Sequence, residues 1–135
     1  MKAELTYGKE TTTSLPFQQA LDRVKDALKT EGFGVLCEID VAKTLKEKLG
    51  AEFRPYVILG ACNPQLAYRA LTLEPHLGLL LPCNVLVSQD ANITKVAAID
   101  AKAMLNVVGN AGLDAIAQEV NARLSRVLEK VGSAA

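Results

Sequence analysis

Apolar residues recur along this chain with two different periods, and each change of period marks a new element. Alternation of apolar and polar residues is typical of a half-buried strand, whereas spacing by three or four is typical of an amphipathic helix. Strands are predicted over residues 2–12, 33–39, 56–61, 79–88 and 93–99. Helices are predicted over residues 15–31, 41–49, 64–73 and 101–106, with a last, strongly amphipathic helix after Asn110.

Polar residues in front of the helices and glycines behind them support these boundaries. Asp, Asn, Ser and Thr side chains accept hydrogen bonds from the first N–H groups of a helix, and glycine readily adopts the left-handed conformation that ends one. Helix ends are expected at Gly32 and Gly50. Caps are expected within residues 11–14 and at Asp40, Asn63, Asp100 and Asn110.

Three segments constrain the sheet further. The run 56–61 is almost wholly apolar, which predicts a central strand buried on both faces. Pro82 has no N–H to donate, so it predicts an edge, a bulge or a bend within 79–88. The polar cluster 88–92 predicts a hairpin between the last two strands.

The order of these elements predicts the fold class. Five strands with helices packed on them form a two-layer α+β domain, and we expect the sheet to be mixed or mainly antiparallel. A chain of 135 residues is long enough to bury about two-thirds of its unfolded surface as one domain. The predicted organisation is therefore a single α+β domain over residues 1–135.

Charge and hydropathy argue against two classes of partner. Fifteen Lys and Arg residues balance fifteen Asp and Glu residues, so the net charge is zero. A protein that binds nucleic acid by releasing counterions shows a basic excess instead. No apolar run approaches the roughly 20 residues that span a bilayer, and residues 1–6 lack the apolar core of a signal peptide. We expect no nucleic-acid partner, no membrane partner and a cytoplasmic location.

The three cysteines are too far apart for a paired metal or redox motif. Cys37, Cys62 and Cys83 follow one another at intervals of 25 and 21 residues. Their odd number suits reduced thiols better than a disulfide framework. Cys37 falls on the apolar side of its strand, where a buried, inert thiol is expected. The glycine-rich phosphate-binding, nucleophile-elbow and zinc-protease motifs are all absent from the sequence.

Several segments together resemble a known family. They read E-G-F-G-V-L-C-E-I-D at 31–40, T-L-K-E-K-L-G at 44–50, F-R-P-Y-V-I-L-G-A-C-N-P at 53–64, E-P-H-L-G-L-L-L-P-C-N-V at 74–85 and V-G-N at 108–110. Over roughly residues 14–131 the chain is similar to the bacterial and archaeal domain-of-unknown-function family 302. The resemblance implies an α+β domain of undetermined function, and it carries over no cofactor and no catalytic residue.

The stretch 55–87 holds the candidate site. It contains the only histidine, two of the three cysteines and the dipeptide Cys-Asn twice. A ligand, if one binds, is expected between the sheet and the helices. The candidate ligand-binding residues are Cys62, Asn63, His76, Cys83 and Asn84.

Each candidate also has a simpler structural interpretation. Asn63 is accounted for as a helix cap, and His76 as a surface residue in a loop. Asn84 is expected to hydrogen-bond backbone groups that Pro82 leaves unpaired. Cys62 lies at a helix N-terminus, where the helix dipole lowers the pKa of a thiol.

The charged residues beside apolar segments offer one more candidate. Glu38 and Asp40 lie on the same side of their strand and form a candidate carboxylate pair. Arg54 is expected to pair with one of them. Because Asp40 is already explained as a cap, an ion pair that fastens a loop is the simpler interpretation.

Two functional hypotheses follow from different classes of protein. The first is a small, non-enzymatic binding or interaction domain that acts as a homodimer, because an open sheet needs its edge or its uncovered face protected. The alternative is a cysteine-dependent redox, thiol-transfer or metal-handling protein that uses Cys62 and Cys83 with His76. The pattern assigns no cofactor and no metal.

Overall fold

One antiparallel sheet packs one of its faces against helices, chiefly the first and the last helix of the chain. The structure is a computed structural model that describes residues 2–132, with residues 2–4 described by their backbone. Neighbouring strands are antiparallel throughout, in the spatial order β1-β2-β6-β5-β4-β3. The strands are β1 (Lys2–Glu4), β2 (Gly8–Thr13), β3 (Gly34–Asp40), β4 (Tyr56–Cys62), β5 (Cys83–Asp90) and β6 (Ile93–Ile99).

Five α-helices and two 3₁₀ turns accompany these strands within the described residues, and two of the helices and one of the turns follow the last strand. The 3₁₀ turns cover Pro75–Leu79 and Ala111–Leu113. The helices are α1 (Phe17–Thr30), α2 (Val41–Leu49), α3 (Pro64–Leu73), α4 (Ala101–Asn106) and α5 (Asp114–Gly132). The predicted α+β class and the mainly antiparallel sheet are confirmed.

The predicted caps explain where most helices begin. Asp40 accepts a hydrogen bond from the Lys43 N–H at 2.9 Å, and Asp100 accepts one from the Lys102 N–H at 2.9 Å. Asn110 caps the 3₁₀ turn that leads into α5 rather than α5 itself, accepting from the Gly112 N–H at 2.9 Å. These short-range polar contacts could be predicted because they involve neighbouring residues.

The first predicted strand, 2–12, is in fact two strands. The chain folds back between β1 and β2, and the Leu5 N–H donates to the Gly8 carbonyl oxygen at 2.7 Å. A Cβ on Gly8 would lie 2.8 Å from the Ala98 carbonyl oxygen, so β2 meets β6 closely where it starts. Residues 11–14 were predicted to cap α1, but residues 11–13 belong to β2. Pro16 precedes the first residue of α1 instead, and no side chain there accepts a hydrogen bond from the helix.

The predicted strand 79–88 begins later than expected. Its first residue, Leu79, belongs to the 3₁₀ turn Pro75–Leu79, and β5 starts only at Cys83. Pro82 therefore precedes the strand instead of interrupting it. A proline in front of the first ladder residue removes no hydrogen bond from the sheet.

Strand β4 is central, as predicted, but only one of its faces is fully buried. Val57, Leu59 and Ala61 face the helices and are buried, whereas Tyr56 and Ile58 point to the other face and are half-exposed. The prediction of burial on both faces was wrong, because the concave surface beside Tyr56 and Ile58 is lined by no residue of a described helix. The largest fully buried side chains of the core are Leu28, Leu59, Leu77, Leu113 and Leu128.

The edge strand β3 also departs from expectation. Its register against β4 shifts between Val35 and Cys37, which is the signature of a β-bulge. Cys37 is consequently exposed rather than buried. It lies opposite Gly60, on the face of the sheet that the helices leave open.

No helix within residues 2–132 is both long enough and apolar enough to cross a membrane.

Candidate functional site

An apolar cavity of about 310 Å³ lies between the sheet and the helices. Its walls come from the end of β4, from α3, from the 3₁₀ turn Pro75–Leu79, and from α4 and α5. Three of the five predicted ligand-binding residues, Cys62, Asn63 and Cys83, line it. The structure therefore brings these three residues together around one cavity, and ligand binding there stays a prediction.

Asn63 holds the start of α3 at the wall of the cavity. Its Oδ1 accepts a hydrogen bond from the Leu66 N–H at 3.2 Å, and the residue is 9% exposed. A Cβ on Gly32 would lie 3.0 Å from Asn63 Nδ2 and 3.3 Å from Arg123 Nη1, and Gly32 has a φ of +83°. The loop after α1 can approach this amide so closely because its residue 32 carries no side chain.

Cys83 is a buried thiol whose environment favours the protonated form. It lies opposite Ala61 at the start of β5 and is buried. Burial raises the pKa of the Cys83 thiol to about 11, and the charge of Cys62 adds to this shift. Because the thiolate is the nucleophile, a protonated Cys83 is a poor partner for thiol exchange.

The other two predicted site residues lie elsewhere. His76 is exposed on the 3₁₀ turn and does not line the cavity. Asn84 is exposed on the opposite face of the sheet. The prediction that its amide is buried and hydrogen-bonds backbone groups near Pro82 was therefore wrong. Among residues 2–132, no group of three or more His, Cys, Asp or Glu side chains is arranged to hold a metal ion.

The candidate carboxylates near β3 have structural partners. Glu38 Oε1 lies 2.6 Å from Lys25 Nζ and ties β3 to α1. Asp40 caps α2. Arg54 lies over the Phe53 ring at 4.9 Å from its centroid instead of joining either carboxylate. The simpler interpretation, an ion pair that fastens an element, holds for Glu38, although its partner is Lys25.

A second concave surface was missed by sequence reasoning. It is the face of the sheet opposite the helices, called the open face below, and it encloses a trough of about 540 Å³. One row across it runs Ile39, Ile58, Leu86, Ala97 and Glu10, each residue directly opposite the next on the neighbouring strand. The sequence did contain a sign of this surface. In the apolar run 56–61 both sides of the strand are apolar, so the side that carries Ile58 is apolar although it faces this trough.

Four charged residues line this trough, two acidic and two basic. Among the described residues, none of the four forms an ion pair within the chain. Their charges are therefore available to a partner. They are Glu10, Arg54, Asp90 and Lys95.

Comparisons with known proteins agree on one family. The model of the domain of unknown function DUF302 matches residues 9–131. The crystal structure of an uncharacterized conserved protein DUF302 from Bacillus stearothermophilus superposes with a TM-score of 0.88. It is 32% identical, and the match covers 94% of this chain and 99% of that one. No curated protein matches the sequence.

Proposed function

The chain belongs to the DUF302 family of unknown function, and we propose that it acts as a small, non-enzymatic binding domain that forms a homodimer through its open face. The observation that carries this proposal is the row Ile39–Ile58–Leu86–Ala97 on a sheet face that no described helix covers. Apolar patches of this kind mark interaction sites.

The charges of the open face favour a second copy as the partner. A two-fold interface brings the same patch of both chains together, so the patch must complement itself. Two acids and two bases on one trough allow each acid of one copy to meet a base of the other. Opposite charges placed in this way select the correct partner more than they add affinity.

Exposed apolar residues at the rim supply further contact. Leu5 and Tyr7 stand at the β2 side of the trough, and Ile39 stands at the β3 side. Their exposed fractions are 43%, 66% and 47%. Because the floor of the trough is recessed, we expect these rim side chains to enter the trough of the partner.

The size of the open face approaches that of a standard protein–protein interface. Strands of seven or eight residues form its centre. Four strands roughly 24 Å long and about 4.8 Å apart, with the shorter β2 and the three-residue β1 beside them, give a footprint on the order of 600 Å² before side-chain relief is counted. Each partner of a standard-size interface contributes roughly 800 Å² of accessible surface.

The absence of catalysis in this proposal has structural support. Candidate acid–base groups are engaged in holding elements together, as Glu38 is by Lys25 and Asp40 by α2. The Cys83 thiol is protonated at neutral pH because burial raises its pKa to about 11. All three cysteines are unpaired, which suits the reducing environment of the cytoplasm.

A matched pair of leucine substitutions tests the dimer. Leu86→Glu places a charge in the apolar row, and we expect native mass spectrometry to show a monomer. Leu79→Glu changes an 87% exposed leucine on the 3₁₀ turn outside the open face, and this variant should stay dimeric. Equal dimer fractions for the two variants would overturn the proposed interface.

A second variant covers the case in which Leu86→Glu does not fold. Lys95→Glu turns two acids and two bases into three acids and one base at a half-exposed position. Like charges then meet across the two-fold axis, and we expect weaker dimers whose stability recovers as salt is added. A dimer unaffected by Lys95→Glu would contradict charge complementarity.

A further inference from the structure

We propose that the cavity between the helices and the sheet binds a small, uncharged, mainly apolar molecule with a single hydroxyl or carbonyl group. This inference rests on the proposed function, since it gives the binding domain a ligand class. It concerns the opposite side of the sheet from the dimer surface, so the two proposals can fail independently.

The volume of the cavity sets the size of the ligand. It measures about 310 Å³. An apolar cavity of about 150 Å³ accommodates benzene, so by proportion this one holds a molecule of about twelve non-hydrogen atoms. That corresponds to a medium-chain alcohol or ketone, or to a molecule of two fused aromatic rings.

The lining determines the charge of the ligand. Leu66, Leu105 and Ile116 are typical of its wall, and none of the described residues that line it is Asp, Glu, Lys, Arg or His. A carboxylate or ammonium group placed there would lose its hydration without gaining an opposite charge. A neutral ligand avoids this cost.

Three polar groups in the wall of the cavity are the partners for the single polar group of the ligand. They are the Asn63 amide and the thiols of Cys62 and Cys83. Asn63 uses its Oδ1 to cap α3, which leaves the Nδ2 group as the donor not needed by the helix. Ligand pockets commonly combine an apolar wall with a small number of such polar groups.

The cavity has a route to solvent. Leu36, Leu71 and Gly78 line it and are exposed, Leu36 to 67%. They belong to β3, α3 and the 3₁₀ turn respectively. A ligand can therefore enter between these three elements without unfolding the core.

Three eight-carbon molecules with a neutral, an anionic and a cationic head group test the ligand class. Octanol, octanoate and octylammonium are titrated into the full-length protein at neutral pH by isothermal titration calorimetry. We expect saturable binding of octanol at least about tenfold tighter than of the two ions, because only the ions lose uncompensated hydration. Equal binding of octanol and octanoate, or no saturable binding of octanol, would overturn the proposal.

A substitution inside the cavity locates the binding. Ala67→Leu adds side-chain volume at a half-buried cavity position on α3, and we expect it to weaken octanol binding by about tenfold or more, because the filled space is lost to the ligand. Ala122→Leu makes the same change at an exposed position of α5 and should leave octanol binding unchanged. Equal affinities for the two variants would place the binding elsewhere.

The cysteines provide a readout in the unmodified protein, which serves if Ala67→Leu fails to fold. Cys62 lines the cavity, whereas Cys37 is exposed on the open face. Octanol should slow the alkylation of Cys62 and leave that of Cys37 unchanged. Octanol binding without protection of Cys62 would contradict the site. If octanol still protects Cys62 in the Leu86→Glu variant, ligand binding does not depend on the dimer, and the two proposals are tested separately.

Discussion

Glu31 Oε1 accepts a hydrogen bond from Arg126 Nε at 2.9 Å, which fastens the end of α1 to α5. Its other carboxylate oxygen lies 3.0 Å from Lys130 Nζ, and its carbonyl oxygen accepts from Arg123 Nη1 at 2.8 Å. Burial of Glu31 opposes its ionisation, but the hydrogen bonds and charges of Lys130 and Arg126 outweigh burial, so the pKa of this carboxyl is lowered. Residues 92 to 99 positions apart in the sequence are thereby held together.

Removing the charge of Glu31 should loosen the contact between α1 and α5. Because Arg126 and Lys130 are partly exposed, we expect Glu31→Gln to lower the free energy of unfolding by only about 1–2 kcal/mol. Urea denaturation measures this loss. Glu52→Gln is the control, since the Lys46–Glu52 pair is largely exposed, and its effect should fall within about 0.5 kcal/mol. Equal losses for the two variants would contradict the account of Glu31.

Stability should fall as the solution is acidified, because two carboxyls have a lowered pKa in the folded state. The second is Asp100, where burial is outweighed by hydrogen bonds from Asn121, Ala103 and Lys102, so its pKa is lowered too. Ordinary values are about 4.3 for Glu and 3.9 for Asp, so the stabilisation is complete above about pH 5 and is lost as the pH falls through the folded-state values. Urea unfolding midpoints should be measured from neutral pH to below the folded-state pKa values. They should change less with pH in the double variant Glu31→Gln, Asp100→Asn than in the unmodified protein. An equally steep dependence in that variant would assign the effect to other groups.

Gly60 should not tolerate a methyl group. A Cβ at this position would lie 2.6 Å from Cys37 Sγ and 2.8 Å from Pro82 Cγ. Since β4 is held between β3 and β5, we expect Gly60→Ala to cost about 1–3 kcal/mol of stability. Gly34→Ala on β3 meets nothing within 4 Å and serves as the control in the same thermal or urea unfolding experiment. If Cys37→Ala restores part of the loss in Gly60→Ala, the clash is confirmed; no recovery at all would point away from Cys37.

The three thiols should differ in reactivity in the order of their exposure. Cys37 is exposed, Cys62 is intermediate and Cys83 is buried with a pKa of about 11. We expect alkylation followed by mass spectrometry to modify Cys37 first and Cys83 last, with Cys83 slow until the pH nears its pKa or the protein unfolds. Rapid modification of Cys83 in the folded protein at neutral pH would revive the redox hypothesis.

Local signals made much of the fold predictable. Asp40, Asn63 and Asp100 begin the helices that their sequence positions predicted. Ala20, Leu21 and Val24 form the buried face of α1, as their helical spacing predicted. Each of these features depends on residues within one or two turns of one another, which periodicity describes well.

Features that depend on distant residues were mispredicted. Cys37 was expected to be buried, but a bulge in β3 turns it outward. Ile58 was expected to be covered on its own side, but no residue of a described helix lines the trough that it faces. The alternation of residues along a strand predicts which side chains share a face, but it does not predict which of the two faces the helices cover.

The candidate site was predicted in part for the same reason. Cys62 and Asn63 are adjacent in sequence, and Cys83 joins them because β5 pairs with β4. His76 was included as the only histidine and Asn84 as the asparagine of the second Cys-Asn dipeptide, yet a 3₁₀ turn and the alternation of β5 place them away from the cavity.

The central claim is that two copies of this chain associate through the open face. Sedimentation velocity of the unmodified protein at micromolar concentration tests it most directly. We expect one species with the mass of two 14.4 kDa chains, which dissociates when Leu86→Glu is introduced. A single species with the mass of one chain at those concentrations would contradict the account.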